Sequence, residues 1–119
     1  MSQPFLLYHW SPSSRRKSIR RQGLRIGKRS PDGSWRPPYL CWSKFPNAAW
    51  SLSATHGPKG AEWDLWCAWS DRVGKLKRRQ FYPEGRRTEW TAEYRSRENV
   101  PAKRLWMVGT RKFESRRHK

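Results

Sequence analysis

Acidic residues are scarce in this chain. Only 9 of its 119 residues are Asp or Glu, whereas 27 are Lys or Arg, and the formal net charge is +18. The first acid is Asp32, and eight basic residues precede it. A field of this sign concentrates polyanions near the protein and accelerates their binding. The imbalance predicts a nucleic-acid or acidic protein partner, and Arg-rich codon usage or simple solubility is the alternative explanation.

Cysteine and long apolar runs are also scarce. Neither Cys41 nor Cys67 lies in a CxxC motif, and the three histidines are far apart, so no zinc-binding spacing is present. Both cysteines fall in predicted strands beside aromatic residues, where a buried free thiol is usual. The apolar run at residues 5–7 is too short for a signal peptide or a membrane span. We expect a reducing cytoplasm and no membrane partner; the small, basic, tryptophan-rich composition favours a bacterial or phage-infected host cell.

Familiar catalytic motifs are missing as well. The chain has no GxSxG, P-loop, GxGxxG or HExxH sequence, which excludes the enzyme classes that those motifs define. Aromatic residues, in contrast, are abundant: nine Trp, four Tyr and four Phe. Each large ring buries roughly 150–250 Å², so a compact core is feasible in a polar chain. We expect one monomeric domain over residues 1–110, followed by a flexible basic tail at 111–119.

The first half of the sequence predicts alternating strands and helices. An apolar strand at residues 5–10 precedes a helix rich in Ser, Arg and Lys, which has Ile19 as its large buried anchor and stops at a left-handed Gly23. After a Gly- and Pro-rich loop at residues 27–38, a strand at 39–42 and a short helix at 48–52 follow. The basic helix must expose a cationic face.

The second half predicts strands alone. Side chains alternate between two faces at residues 63–71, and residues 72–75 resemble a hairpin turn into a basic strand near 76–82. The last two strands are predicted at 90–95 and 105–110. Early helices followed by several strands predict an α+β domain with a mostly antiparallel sheet.

Three short motifs follow one another along the chain. The first is YHWS at residues 8–11, followed by Ile19 and then by Gly-Leu after the helix; the second is PYLCWS at 38–43 with NAAW at 47–50. The third is AEYR at residues 92–95, with VPAKRL following at 100–105. Together they resemble the three motifs of the diphtheria-toxin-type ADP-ribosyltransferases, whose fold also includes the RNA 2′-phosphotransferases.

The resemblance implies an ADP-ribosyltransferase-like fold, with two early helices and a mostly antiparallel split sheet, and it implies NAD as the cofactor. Glu93 would be catalytic, because a carboxylate there stabilises the oxocarbenium-like charge that forms when the glycosidic bond breaks. The histidine would bind a ribose hydroxyl, the aromatic rings would stack on nicotinamide, and the arginine would pair with the pyrophosphate. The implied cofactor-binding residues are His9, Ser11, Arg25, Tyr39 and Trp50.

Each implied role has a structural alternative. His9 lies between two aromatic residues and fits a histidine held in the core equally well, and Tyr39 and Trp50 fit plain core residues. Glu93 fits a cross-strand ion-pair partner for neighbouring arginines. Glu89, four residues upstream, is a second candidate for the catalytic carboxylate.

The predicted function combines this site with the basic first helix. We expect an NAD-dependent ADP-ribosyltransferase that acts on a nucleic acid or a host protein. The alternatives are an RNA 2′-phosphotransferase-like enzyme and a non-catalytic nucleic-acid-binding or host-inhibitor protein on the same fold. The expected nucleic-acid-binding residues are Arg15, Arg16, Lys17, Arg20 and Arg21.

Overall fold

A computed structural model of the chain describes residues 3–26, 39–53, 60–81 and 91–112. It contains the helices α1 (Arg16–Gln22) and α2 (Pro46–Ser53). The strands are β1 (Leu6–Pro12), β2 (Leu40–Trp42), β3 (Glu62–Trp69), β4 (Leu76–Phe81), β5 (Thr91–Ser96) and β6 (Trp106–Lys112). The predicted α+β class with two early helices is confirmed. Within these residues, neither helix is long and apolar enough to cross a membrane. The predicted loop at 27–38, and Glu89, lie outside the described residues.

The strands form two antiparallel sheets of three strands each. The first has the order β1-β3-β6 and the second the order β2-β5-β4. Strand β1 lies where the two sheets meet. It pairs with β3 along its whole length, and Tyr8 also exchanges backbone hydrogen bonds of 2.7 and 3.1 Å with Ser43, directly after β2. We call this β1–β2 junction the seam.

The hairpin predicted at residues 72–75 is wrong. Strands β3 and β4 belong to different sheets. The 3-10 turn Ser70–Arg72 and Gly74, which has a φ of +82°, carry the chain from one sheet to the other. Val73 between them is buried in the core and anchors this crossing. The sequence indicated the turn but not the destination of the next strand, because consecutive strands pair only about two-thirds of the time.

Strand β3 forms the centre of the core. Its residues 63–68 are all buried, because both faces of the first sheet are covered. One core cluster contains Trp66, Trp42 and Tyr94 and joins the two sheets. The other contains Trp10 and Trp63 and lies under α2. The predicted alternation is therefore present, but it separates two buried clusters and not a buried face from a solvent-exposed one.

Helix α1 ends at the predicted glycine, with a different backbone geometry. Ile19 is buried as expected, and its carbonyl accepts a 2.8 Å hydrogen bond from the Gly23 amide. Gly23 has φ +81° and ψ −169°, which is a region that only glycine commonly occupies and not the left-handed helical region. The chain therefore leaves the helix extended, and Leu24 pairs with Val100.

The last strand is longer than predicted. Strand β6 continues to Lys112, so residues 111 and 112 belong to the sheet and not to a tail. The guanidinium of Arg111 lies 4.2 Å from the ring centre of Trp50. Residues 113–119 lie outside the described residues.

Candidate nucleotide-binding site

His9 lies on the seam between the two sheets. Its Nδ1 donates a 2.8 Å hydrogen bond to the carbonyl oxygen of Cys41 in β2. Its ring is tilted against the indole of Trp42 with the ring centres 5.5 Å apart. The histidine is half-buried. One ring nitrogen thus connects β1 to β2, and this bond fixes the orientation of the imidazole.

Glu93 lies in β5, on the side opposite to the core residue Tyr94, because successive side chains alternate along a strand. Its Oε1 accepts a 3.1 Å hydrogen bond from Nε of Arg95 and lies 3.4 Å from Nε of Arg79. The thiol of Cys41 also donates a hydrogen bond to the Glu93 carboxylate. The side chain of Glu93 is only 6% exposed. This carboxylate is therefore held by one thiol and two guanidinium groups.

Tyr39 directly precedes β2 and is half-buried. The guanidinium carbon of Arg95 lies 4.1 Å from the centre of its ring, in a cation–π contact. Arg95 therefore contacts both Tyr39 and Glu93. Cys41 contacts both His9, through its carbonyl, and Glu93, through its thiol. His9 is thus linked to Glu93 through Cys41, and Glu93 is linked to Tyr39 through Arg95. His9 itself packs against the core residue Trp42, whereas Glu93 projects from the opposite face of the second sheet.

Trp50 lies outside this group of contacts. Its ring packs edge-on against Trp10 and Trp63, with ring centres 4.9 and 6.2 Å apart. Trp10 follows His9 in a strand, so the two side chains project from opposite faces. The structure thus separates Trp50 from His9 by the thickness of the first sheet. The structure therefore places Trp50, half-buried against the second core cluster and beneath Arg111, apart from the contact group of His9, Tyr39 and Glu93.

Arg16, one of the residues predicted to bind nucleic acid, is half-buried and pairs with a buried carboxylate. Its Nε and Nη2 donate hydrogen bonds of 2.8 and 2.7 Å to Asp64, whose side chain is 0% exposed. The same carboxylate accepts hydrogen bonds from Ser13 (2.7 Å) and Thr110 (3.0 Å). This network attaches the start of α1 to β3 and β6.

The pKa of Asp64 reflects two opposing effects. Burial acts to raise the pKa, but the hydrogen bonds from Arg16, Ser13 and Thr110 outweigh it and hold the pKa below its usual range. Asp64 is not among the residues predicted from the sequence to be functional. An acid in the middle of an apolar strand, in a chain with so few acids, was the available signal.

Of the remaining predicted residues, Ser11 is buried on β1 opposite Asp64. The others lie on or near the surface. Arg25 is exposed, just after the Leu24–Val100 pair. The exposed cationic face predicted for α1 consists of Lys17, Arg20 and Arg21, beside a half-buried Arg15.

Neither cysteine has the character of a nucleophile. Burial raises the pKa of Cys67 to about 11. Burial is also the largest cause of an upward shift in the pKa of Cys41, and the hydrogen bond to Glu93 and its negative charge add to it. Among the described residues, no cluster of three His, Cys, Asp or Glu side chains could hold a metal ion.

We predict that both thiols react slowly with a disulfide reagent at pH 8 in the native protein. Only a thiolate attacks such a reagent, and the raised pKa values leave little thiolate at that pH. The absorbance of the released chromophore, followed over time, measures this reaction. The control is the same protein in guanidinium chloride, in which both thiols should react. Rapid release of one equivalent from native protein would contradict it.

Comparison of the chain with models of protein families, with curated proteins and with solved structures finds no match. The chain's own sequence and geometry therefore carry any proposal about its function.

Proposed function

We propose that this protein binds NAD at the seam and transfers ADP-ribose to a nucleic-acid or protein acceptor. The observation that carries the proposal is the continuous contact group of His9, Cys41, Glu93, Arg95 and Tyr39. Its histidine, tyrosine and glutamate come from three separate strands or strand ends. They follow one another in the chain in the order of the family that the sequence resembles.

The proposed chemistry divides the work among these side chains. His9 holds a ribose hydroxyl, and Tyr39 flanks the nicotinamide ring. The bond between ribose C1′ and the nicotinamide nitrogen breaks, and its electron pair leaves with nicotinamide. An acceptor oxygen or nitrogen then bonds to C1′ and releases its proton to solvent. The Glu93 carboxylate stabilises the positive charge on the sugar between these steps.

Arg79 supplies the phosphate-binding element of the proposal. Its side chain is 52% exposed beside Glu93, and guanidinium groups bind phosphate oxygens in pairs. Pairing with the NAD diphosphate would draw Arg79 away from Glu93 and leave more of the carboxylate accessible to the sugar.

We predict that Glu93→Gln abolishes nicotinamide release. The amide keeps the shape of the carboxylate but removes the charge that stabilises the sugar cation, which is worth about 10²–10³-fold in rate for a comparable electrostatic group. Chromatography of nicotinamide released from NAD, in the presence of single-stranded RNA, DNA or cell extract, measures the effect. Glu62→Gln is the matched control, because Glu62 is an exposed glutamate at the start of β3.

Two further measurements separate a catalytic role from a structural one. Thermal denaturation with and without NAD reports binding, and we expect NAD to raise the melting temperature of the wild type and of Glu93→Gln. Glu93→Asp retains the charge if the glutamine variant does not fold. No shift with millimolar NAD, together with no nicotinamide in any acceptor mixture, would refute the proposal.

A non-catalytic nucleic-acid-binding protein on the same fold is the second candidate. One observation favours it: Oε1 of Glu93 is already paired with both Arg79 and Arg95, as in a structural ion pair. This candidate predicts no thermal response to NAD. It also predicts nucleic-acid binding that weakens steeply with salt and does not change in His9→Ala.

A further inference from the structure

Two exposed tryptophans lie side by side at one end of the first sheet. Trp69 ends β3 and Trp106 begins β6, and they are 43% and 41% exposed. Trp106 lies opposite Cys67, two residues before Trp69, so both indoles project from the same face of the sheet. Adjacent exposed rings of this size are typical of an interaction site.

Three cations surround these rings. An open cavity of about 380 Å³ is lined by Trp69, Arg72, Lys103, Arg104 and Trp106. The cations come from two 3-10 turns. Ser70–Arg72 directly follows β3, and Ala102–Arg104 is separated from β6 by Leu105. The cavity therefore combines two flat aromatic surfaces with three positive charges. Its lining, as far as the described residues show, includes no acid, although Asp71 lies in the same turn as Arg72.

Hydrogen bonds connect the two turns to the sheet and to each other. The Phe5 amide, directly before β1, donates a 3.0 Å bond to Oγ of Ser70, and the Ser70 amide donates a 2.8 Å bond to the Phe5 carbonyl. Nη1 of Arg104 donates a 3.4 Å hydrogen bond to the carbonyl of Arg72 and so connects the two turns. These bonds connect the backbone of the two turns to the sheet and to each other, whereas the exposed side chains of Arg72 and Lys103 lose freedom when a ligand binds.

We propose that this cavity binds single-stranded nucleic acid, with bases stacked on Trp69 and Trp106 and phosphates paired with the cations of the two turns. Aromatic platforms beside positive charges are the two elements that single-strand binding requires. A duplex hides the faces of its bases, and an acidic peptide offers charge without rings to stack. The net charge of +18 adds long-range attraction for a polyanion. The proposal goes beyond NAD chemistry and uses neither His9 nor Glu93.

Fluorescence anisotropy of labelled twelve-residue dT and rU oligonucleotides with the full chain tests the stacking. We expect the double variant Trp69→Ala/Trp106→Ala to bind at least about tenfold more weakly, because each stacked base contributes a factor of roughly 5–150. Phe45→Ala is the control, since Phe45 is 63% exposed outside this cavity. The single variants Trp69→Ala and Trp106→Ala, checked by circular dichroism, serve if the double variant does not fold.

A second arm tests the phosphate contacts. Arg72→Ala/Lys103→Ala removes two charges and leaves the Arg104 bond to the backbone of Arg72 intact. Its matched control is Lys77→Ala/Lys112→Ala, which has the same net charge and changes two exposed cations outside the cavity lining. The logarithm of the binding constant against the logarithm of salt should lose about 1.4 from its slope in the first variant, at ~0.7 per contact. The slope should change less in the control.

Three outcomes would overturn the proposal. The first is equal weakening in the cavity charge variant and the Lys77→Ala/Lys112→Ala control together with full affinity in the tryptophan variants, which indicates diffuse attraction. The second is duplex DNA that binds as tightly as dT with the same tryptophan dependence. The third is polyglutamate that displaces the oligonucleotides at equal charge concentration. Comparison of dT with rU then identifies DNA or RNA as the preferred strand.

Discussion

Gly23→Ala is expected to lower the free energy of unfolding by at least about 4 kcal/mol. Only a few mechanisms cause a loss of stability this large. Two of them act together here. Gly23 has φ +81° and ψ −169°, where any side chain strains the backbone. A Cβ at this position would also collide with the carbonyl oxygen of Val100 and lie 2.8 Å from the amide nitrogen of Ala102.

The surroundings of Gly23 cannot easily move to relieve this collision. The carbonyl of Val100 accepts a 2.9 Å hydrogen bond from the amide of Leu24, and Leu24 accepts one of 2.8 Å in return. Val100 itself is fully buried in the core. Displacing it would break both bonds and disturb the core packing. A domain of this size has only about 5–15 kcal/mol of stability in total, so the variant should be largely unfolded on warming.

Gly60→Ala provides the control that separates strain from collision. Gly60 has a similar φ of +83°, and within the described parts of the chain no atom lies within 4 Å of its added Cβ. It should cost only about 1–2 kcal/mol, the penalty for a left-handed backbone. Guanidinium chloride unfolding of the wild type and both variants measures the difference. Equal losses in both variants would show that the contact with Val100 contributes nothing.

Arg16→Ala is expected to lower the denaturant midpoint of unfolding, because it leaves a buried carboxylate without its charged partner. The side chain of Asp64 is 0% exposed, and Arg16 makes two of its hydrogen bonds. Ser13 and Thr110 would then be its described partners, and neither is charged. Lys17→Ala, at an exposed neighbouring position of α1, should change stability by less than about 0.5 kcal/mol. Chemical unfolding of the two variants gives the comparison.

Acid should weaken the same ion pair. The pKa of Asp64 is lowered in the folded protein, so its stabilising effect is present above the unfolded pKa of about 3.9 and is lost as the pH falls through the folded value. The stability difference between the wild type and Asp64→Asn should therefore shrink below about pH 4. A difference that stays constant from pH 7 to pH 3 would show that Asp64 gains nothing from being ionised in the folded state.

The local features of the fold were predictable because their causes are local. The single apolar residue of α1, Ile19, and the glycine after it mark one helix and its end. The alternation around Trp66 marks a strand. The hairpin after residue 72 was not predictable, because nothing in a short turn determines which distant strand the next one joins. That choice depends on how the second sheet packs against the first, in which β3 is the central strand.

The candidate site was only partly predictable for the same reason. The order of His9, Tyr39 and Glu93 along the chain was visible in the sequence, and so was an aromatic at residue 50. Whether an aromatic faces the seam or the opposite side of β1 depends on strand register and on how α2 packs. The pairing of Arg16 with Asp64 joins residues 48 positions apart. No pattern within α1 distinguishes that arginine from its neighbours.

Strand β1 has a consequence for how the two proposed sites are related. Its start holds the Ser70 turn beside the exposed tryptophans, and its middle holds Cys41 through His9. Phe5 and His9 are four residues apart in an extended chain, which corresponds to about 13 Å. The strand is therefore a spacer of fixed length, paired with β3 throughout. The distance between the two attachment points cannot change unless β1 separates from β3. The two proposed binding sites therefore stay at a constant distance from each other, whichever of them is occupied.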